Sequence, residues 1–445
     1  MFEQVMGLVS KRKLLSVLCC LCLNLGVAID TINSSRSLKH TEYIISNGSA
    51  FKLGFFSPVN STNRYVGIWY NTISEQTVVW VANKQKPLKD FSGVLTISKE
   101  GNLVVLDERK EIIWSTSVTN PVVNSSAKLL DSGNLVLQEN STGTTKIKWE
   151  SFQHPSNVFL PKMKIGADAR TGQKVGLTSW KSPSDPSNGS FFCDIQALYL
   201  PQLYIWKDGS PYWRSGPWNN RVFIGVPNMT SEVLTGVDLQ NDGEGTYISY
   251  YSFVNRSLSH YFLNTDGNLE LRYWNDIQWD VYWSSLQTKC VGYDKCGAFG
   301  SCNPRSSPIC SCLRGFKPKN TEEWNKGNWS SGCVRRKLLQ CERVKTGGES
   351  GKFDGFLKLN KMKVPDFEVW PYDLYAPEDE CRQQCLQSCS CIAYAYDAGT
   401  GCMSWNRSLI DTQELSRNGV DLYIRLAYSE LGELAFNFKS SIRPP

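Results

Sequence analysis

The stretch LLDSGNLVLQEN, Leu129–Asn140, decides how the first third of the chain is read. A polar turn ending in Gly133 opens onto β-prone Asn-Leu-Val-Leu, which predicts a strand entered through a tight turn. The same phrase stands earlier as GNLVVLD from Gly101. Each copy is followed by a Trp-bearing segment, IIW at Ile112–Trp114 and IKW at Ile147–Trp149, and a further one, VVW, lies at Val78–Trp80. The three Trp segments are 34 and 35 residues apart, and a fixed period of this size in β-prone sequence signals supersecondary units packed on one another. FKLGFF at Phe51–Phe56 is read as the first unit's counterpart of the two GNL strands. Alternation sets Val79 and Val81 against Val78 and Trp80, with one side of the strand facing inward. Three such units, each sending a Trp to a shared axis, would form a small prism of sheets without large exposed edges.

Composition agrees with this reading. The 445 residues exceed one core and imply about three or four domains. Aromatics at 12% and charges at 20% favour many short strands over charged helical bundles. The net charge of +6 comes without a basic tract interleaved with aromatics, so nucleic acid is not an expected partner. Lys11–Lys13, the apolar run Leu14–Leu25 and the small residues Gly26–Ala28 read as a secretory signal over residues 1–28. No later window approaches 18 consecutive apolar residues, so no membrane span is expected. Sequons at Asn33, Asn47, Asn60, Asn124, Asn140, Asn188, Asn228, Asn255, Asn328 and Asn406 point to a secreted glycoprotein. Twelve of the 16 cysteines lie between Cys290 and Cys402, which in an oxidising compartment means disulfides and not metal.

Residues 29–152 therefore form the first domain. A second β-rich block, residues 153–285, carries LTSWKSPSDPSNGSF (Leu177–Phe191), YWRSGPWNN (Tyr212–Asn220) and a hairpin-like TDGN (Thr265–Asn268), and reads as a diverged copy. Residues 286–333 hold Cys290, Cys296, Cys302, Cys310, Cys312 and Cys333 with too little apolar sequence for a core of their own. Spacing alone leaves 15 pairings of these six open. Residues 341–427 close the series. There Pro377 and three acidic residues open a helix that places Cys381 and Cys385 on one face, and DLYIRLA (Asp421–Ala427) reads as a final strand. Residues 428–445 read as an unstructured tail.

In order along the chain, GFFSPVNSTNRYVGIWY, TVVWVANK, LTSWKSPSDPSNGSF, YWRSGPWN, CGAFGSC, CSCLRGFKPK, WNRSLIDTQ and DLYIRLA resemble the ectodomain of plant S-domain (G-type, bulb-type lectin) receptor-like kinases and the S-locus glycoproteins. The resemblance implies a mainly β chain: tandem β-prism bulb-type-lectin-like domains, then a disulfide-rich EGF-like module and an α+β PAN/apple domain. It also implies the bonds Cys290–Cys302, Cys296–Cys310, Cys312–Cys333, Cys381–Cys402, Cys385–Cys391 and Cys341–Cys389. Cys193 is left over, and is read as a buried thiol in preference to an intermolecular bridge.

Mannose-binding relatives use a Q-x-D-x-N-x-V-x-Y strand. On Leu130–Gln138 only Asn134 and Val136 match, with Leu130, Ser132 and Gln138 in the other places; on the preceding repeat only Asn102 and Val104 match, beside Ser98, Glu100 and Leu106. Losing most of the polar contacts, each worth about 1 kcal/mol net, predicts a degenerate and inactive sugar site. The three histidines, His40, His154 and His260, share no motif, and neither a nucleophile elbow, a zinc helix nor a kinase signature occurs. No cofactor, metal or catalysis is expected, and LQTK (Leu286–Lys289) lacks the acidic residues of a calcium-binding EGF module. What the resemblance implies instead is recognition of a small secreted peptide or metabolite, with homo- or heterodimerisation with S-domain receptor kinases. The expected location is the apoplast, or the plasma membrane if the transcript continues into a membrane helix and kinase. The alternatives are a carbohydrate- or cell-wall-binding lectin, or a truncated part of a full transmembrane serine/threonine receptor kinase. The expected contact surfaces are Trp206–Arg221 and Tyr273–Trp283, with core packing as the competing reading for their tryptophans.

Overall fold

The structure, a computed structural model, describes residues 29–431 except 121–123, 142–143, 169–170, 197–199, 227–228, 230–236, 242–244, 252–257, 291, 346–352 and 367–375. The expected leader, Asn228, Asn255 and the tail beyond Leu431 lie outside the described residues. The chain divides into two compact units, residues 1–156 with 182–188, and residues 157–181 with 189–445.

The first unit holds three four-stranded antiparallel sheets. Their last two strands are Tyr65–Tyr70 with Val78–Val81, Leu103–Leu106 with Ile112–Ser115, and Leu135–Ser141 with Thr144–Glu150. Thr31–Asn33, at the start of the unit, pairs with Ser126–Lys128 near its end, so the first strand completes the last sheet. In all three sheets the Trp faces an apolar residue across the strand pair: Ile68 opposite Trp80, Val105 opposite Trp114 and Leu137 opposite Trp149. The three indoles meet edge to face at 5.7, 5.9 and 5.8 Å between centroids.

Two sequence expectations change here. The counterpart of the GNL strands in the first unit is Tyr65–Tyr70; Phe51–Phe56 lies one strand earlier in the sheet. The alternation over Val78–Val81 also fails, because Val79, Trp80 and Val81 are all buried. The cause is a bulge. Trp69 pairs with Val78 and Ile68 with Trp80, so Val79 is an extra residue that resets which side faces inward. Ile113 and Lys148 are the extra residues at the same place in the other two sheets.

Residues 158–284 form three more four-stranded sheets, and two of them repeat the Trp and its bulge. Ile205 faces Trp213 with Tyr212 as the extra residue, and Leu271 faces Trp283 with Tyr282. The cysteine-rich segment and the C-terminal segment then share one seven-stranded sheet. Its order is Cys310–Cys312, Gly300–Cys302, Thr412–Glu414, Gly355–Lys363, Val420–Leu426, Ala393–Asp397 and Gly401–Trp405. Ser301 and Cys302 pair in parallel with Thr412 and Gln413. Leu313, Phe316 and Cys333 join Met362, Val364, Trp405, Leu422 and Ile424 in a single apolar cluster. A segment too poor in apolar residues for its own core is thus stabilised by a shared one. The helix Glu378–Gln387 starts at Pro377, has Glu378, Asp379 and Glu380 in its first turn, and buries Cys381 and Cys385.

Candidate functional site

The strand that would face a sugar is built around an asparagine that turns inward. Gly133 at φ +84° makes the turn, and only glycine adopts that conformation freely. It delivers Asn134, whose Oδ1 accepts from Ser151 Oγ (3.1 Å) and the Phe152 N–H (3.2 Å), while Nδ2 donates to Glu150 Oε2 (2.7 Å). Asn102, after Gly101 at the same φ, accepts from Thr116 Oγ1 and the Val118 N–H, both at 2.8 Å, and donates to Val118 O. Asn134, Val104 and Val136 are buried, and Asn102, Leu130, Ser132 and Gln138 are partly buried. The amides hold the loop that follows each hairpin, each using three of its four hydrogen-bonding positions to do so. The same device recurs at Asn268, whose Oδ1 accepts from Ser284 Oγ, Ser285 Oγ and the Leu286 N–H. Sequence reading saw TDGN only as a turn; the Gly-Asn-Leu phrase at Gly267–Leu269 was the signal for this further copy.

The structure joins Cys290 to Cys302, Cys296 to Cys310, Cys312 to Cys333, Cys341 to Cys389, Cys381 to Cys402 and Cys385 to Cys391. Cys193 is free and buried, and burial, helped by Asp194, pushes its thiol pKa well up. Asn33, Asn47, Asn60, Asn124, Asn140, Asn188, Asn328 and Asn406 are exposed. Of the two expected contact surfaces, Trp206–Arg221 is largely core: Trp213 and Trp218 are buried, and only Lys207–Ser210 with Asn220 and Arg221 lie open. Tyr273–Trp283 is different. It ends in the edge strand Trp279–Ser284, and Ile277 (80%), Val281 (52%) and Tyr282 (46%) are exposed. His40, His154 and His260 lie on separate elements. Burial lowers the pKa of His154 and takes that of His260, beside Arg272, down to about 3.

A densely charged buried site lies within the second unit. Arg214, on the strand Ser210–Pro217, is fully buried and donates from Nε to Asp411 Oδ2 (2.6 Å). It also donates from Nη1 to Gln202 Oε1 (2.9 Å) and from Nη2 to Val364 O (2.5 Å) and Asp411 O (3.2 Å). Lys363 Nζ reaches the same Asp411 Oδ2 at 2.8 Å. Asp366 lies 3.9 Å from Arg214 and accepts from the hydroxyls of Tyr204 (2.7 Å) and Tyr293 (2.5 Å). Asp294 and Asp411 are bound reciprocally, each N–H to the other's Oδ1 at 3.2 Å. Burial works against charge on Arg214, but Asp366 and Asp411 outweigh it and raise its pKa; burial lowers that of Lys363 despite Asp411. Asp294 is pushed up to about 6, by burial first and then by its acidic neighbours. Asn220 Nδ2 to Gly399 O (2.9 Å) and Asn418 Nδ2 to Met229 O (2.8 Å) widen the junction. Sequence reading used YWRSGPWN and WNRSLIDTQ as family marks without a role for Arg214 or Asp411; a lone charge among aromatic and aliphatic neighbours was the available signal.

Repeated four-stranded sheets, loop-bound asparagines and a disulfide-stapled seven-stranded sheet make a mainly β chain of several modules. Family models agree: residues 77–181 match the D-mannose binding lectin model, 213–320 the S-locus glycoprotein domain and 341–412 the PAN-like domain. No kinase domain is among these matches. The chain is 47% identical over 424 residues to the G-type lectin S-receptor-like serine/threonine-protein kinase SD1-13 of Arabidopsis thaliana, covering 94% of this chain and 51% of that protein. It is 39% identical over 423 residues to the kinase B120 of the same plant, covering 92% and 48%. The chain thus spans about half the length of the curated relatives it matches. It belongs to the plant G-type lectin S-receptor-like kinase family, of which it carries the extracellular lectin, S-locus glycoprotein and PAN-like region. Among the described residues no helix is long and apolar enough to cross a membrane.

Proposed function

We propose that this region recognises a small secreted peptide or metabolite outside the cell, and that it does so without a mannose site. The observation that carries the reading is the contrast between two strands. Asn134 is buried and bound to its own loop, whereas the edge strand Trp279–Ser284 exposes apolar and aromatic side chains. An exposed strand edge with the neighbouring Val281 and Tyr282 both open suits a ligand that adds backbone hydrogen bonds and covers their apolar surface. The finer architecture belongs to this proposal: two β-prisms over residues 29–152 and 153–285, an EGF-like module at 286–333 and a PAN/apple domain at 341–427. The shared indole axis and the first-to-last strand pairing support the prism reading. Dimerisation with an S-domain kinase, and service in pollen recognition or defence, extend it.

The test replaces the matching region of the relative SD1-13 with this chain and reads kinase autophosphorylation in response to extracellular plant fluid. Val281→Glu and Tyr282→Glu, on exposed positions, are expected to abolish the response without changing the melting temperature. A response untouched by both substitutions, or one displaced by free mannose, would refute the proposal.

A further inference from the structure

Asp294, Asp366 and Asp411 meet Arg214 and Lys363 where three parts of the second unit converge. These are the β-block, through Gln202, Tyr204 and Arg214; the cysteine-rich segment, through Tyr293 and Asp294; and the C-terminal segment, through Lys363, Asp366 and Asp411. Two of the carboxylates are well provided for. Asp411 has both cations, and Asp366 has two tyrosine hydroxyls with Arg214 nearby. Among the described residues the Asp294 carboxylate accepts from the Asp411 N–H alone, and the negative charge of Asp411, whose Oδ1 holds the Asp294 N–H, works against its ionisation. With Asp294 protonated, two cations balance two anions; with Asp294 ionised, the junction holds one uncompensated negative charge in a partly dry site.

We propose that this junction is a proton-operated lock: a proton on Asp294 completes the charge balance that holds the cysteine-rich segment and the C-terminal segment onto the β-block, and its loss loosens their grip. The device is independent of which ligand the chain reads. Asp294 has its pKa raised to about 6 from an ordinary value near 3.8. Between those values the closed junction keeps a proton that the open one gives up. Closure is therefore strongest below the ordinary value and weakens as pH rises through about 6. Worked through linkage, the opening constant rises about tenfold from pH 5 to pH 7. His260 acts with the opposite sign, since a buried neutral histidine favours the fold as pH rises. A global melting curve mixes the two, so the readout must be local.

Hydrogen exchange of the whole chain, corrected for intrinsic rates, reports on the Asp411 amide that donates to Asp294 and on the Asp294 amide that donates back. The expected result is about tenfold lower protection of these amides at pH 7 than at pH 5. Asp294→Asn keeps the acceptor oxygen and removes the titration, so its protection should stay constant over that range. Equal protection of the unsubstituted chain at both pH values would overturn the proposal. So would Asp294→Asn retaining the pH step, which would assign the titration to another group.

Discussion

Replacing Arg214 by methionine tests whether the buried junction holds the second unit together. The substitution keeps a long apolar stem and removes the guanidinium. It deletes hydrogen bonds to Asp411 Oδ2, Gln202 Oε1, Val364 O and Asp411 O. Charge-assisted bonds contribute about 1.5–3 kcal/mol each, but the sum overstates the loss, because the carboxylates keep other partners. Asp411 retains Lys363 and Asp366 retains Tyr204 and Tyr293, while the Gln202 and Val364 oxygens are left dry. Breaking a buried ionic cluster on one side costs about 3–5 kcal/mol, and that is the expected destabilisation. Pulse proteolysis in urea, with disulfides intact and read on fragments from residues 189–431, measures it. Arg305→Met is the control: Arg305 is largely exposed, lies 3.5 Å from Glu414, and should change stability by no more than about 1 kcal/mol. An Arg214→Met chain destabilised by less than about 1 kcal/mol would refute the reasoning, since a dry, four-bonded cation cannot be lost so cheaply.

Two further substitutions separate backbone strain from crowding. Gly172 and Gly267 both have positive φ, but a Cβ on Gly172 meets nothing, whereas one on Gly267 lies 2.4 Å from the Phe191 ring. Gly172→Ala should cost about 1 kcal/mol and Gly267→Ala clearly more, about 2–4 kcal/mol, by urea unfolding. Equal costs would mean that Phe191 swings away freely. Cys193 lies among Phe159, Leu177, Leu203 and Trp213, so the folded chain should leave a thiol reagent unreacted until urea unfolds it. Rapid labelling of the native chain would contradict its burial.

How much was legible in the sequence differs from element to element. The Gly-Asn-Leu turns and the spaced tryptophans exposed the repeat, because each serves one local need: a left-handed turn, a loop-binding amide, an axial ring. The bulge before each Trp was not legible. Val79, Ile113, Lys148, Tyr212 and Tyr282 have no one chemistry common to all five, since the bulge is set by pairing across the sheet and not by the residue inserted. The charged junction escaped for a related reason. Arg214 and Asp411 are 197 residues apart and their meeting depends on tertiary packing. The shared seven-stranded sheet was hidden likewise, because a parallel pairing of Ser301–Cys302 with Thr412–Gln413 leaves no local trace.

The most direct test of the central claim, a lectin fold whose sugar strand now serves the fold alone, is calorimetric titration of mannose and a mannan into the enzymatically deglycosylated chain, beside its Asn134→Ala variant. The account predicts no saturable heat for either protein, and a variant less stable by about 1–3 kcal/mol because the Phe152 N–H and Ser151 hydroxyl lose their acceptor. Saturable mannose binding by the unsubstituted chain, abolished in a variant that remains folded, would contradict it.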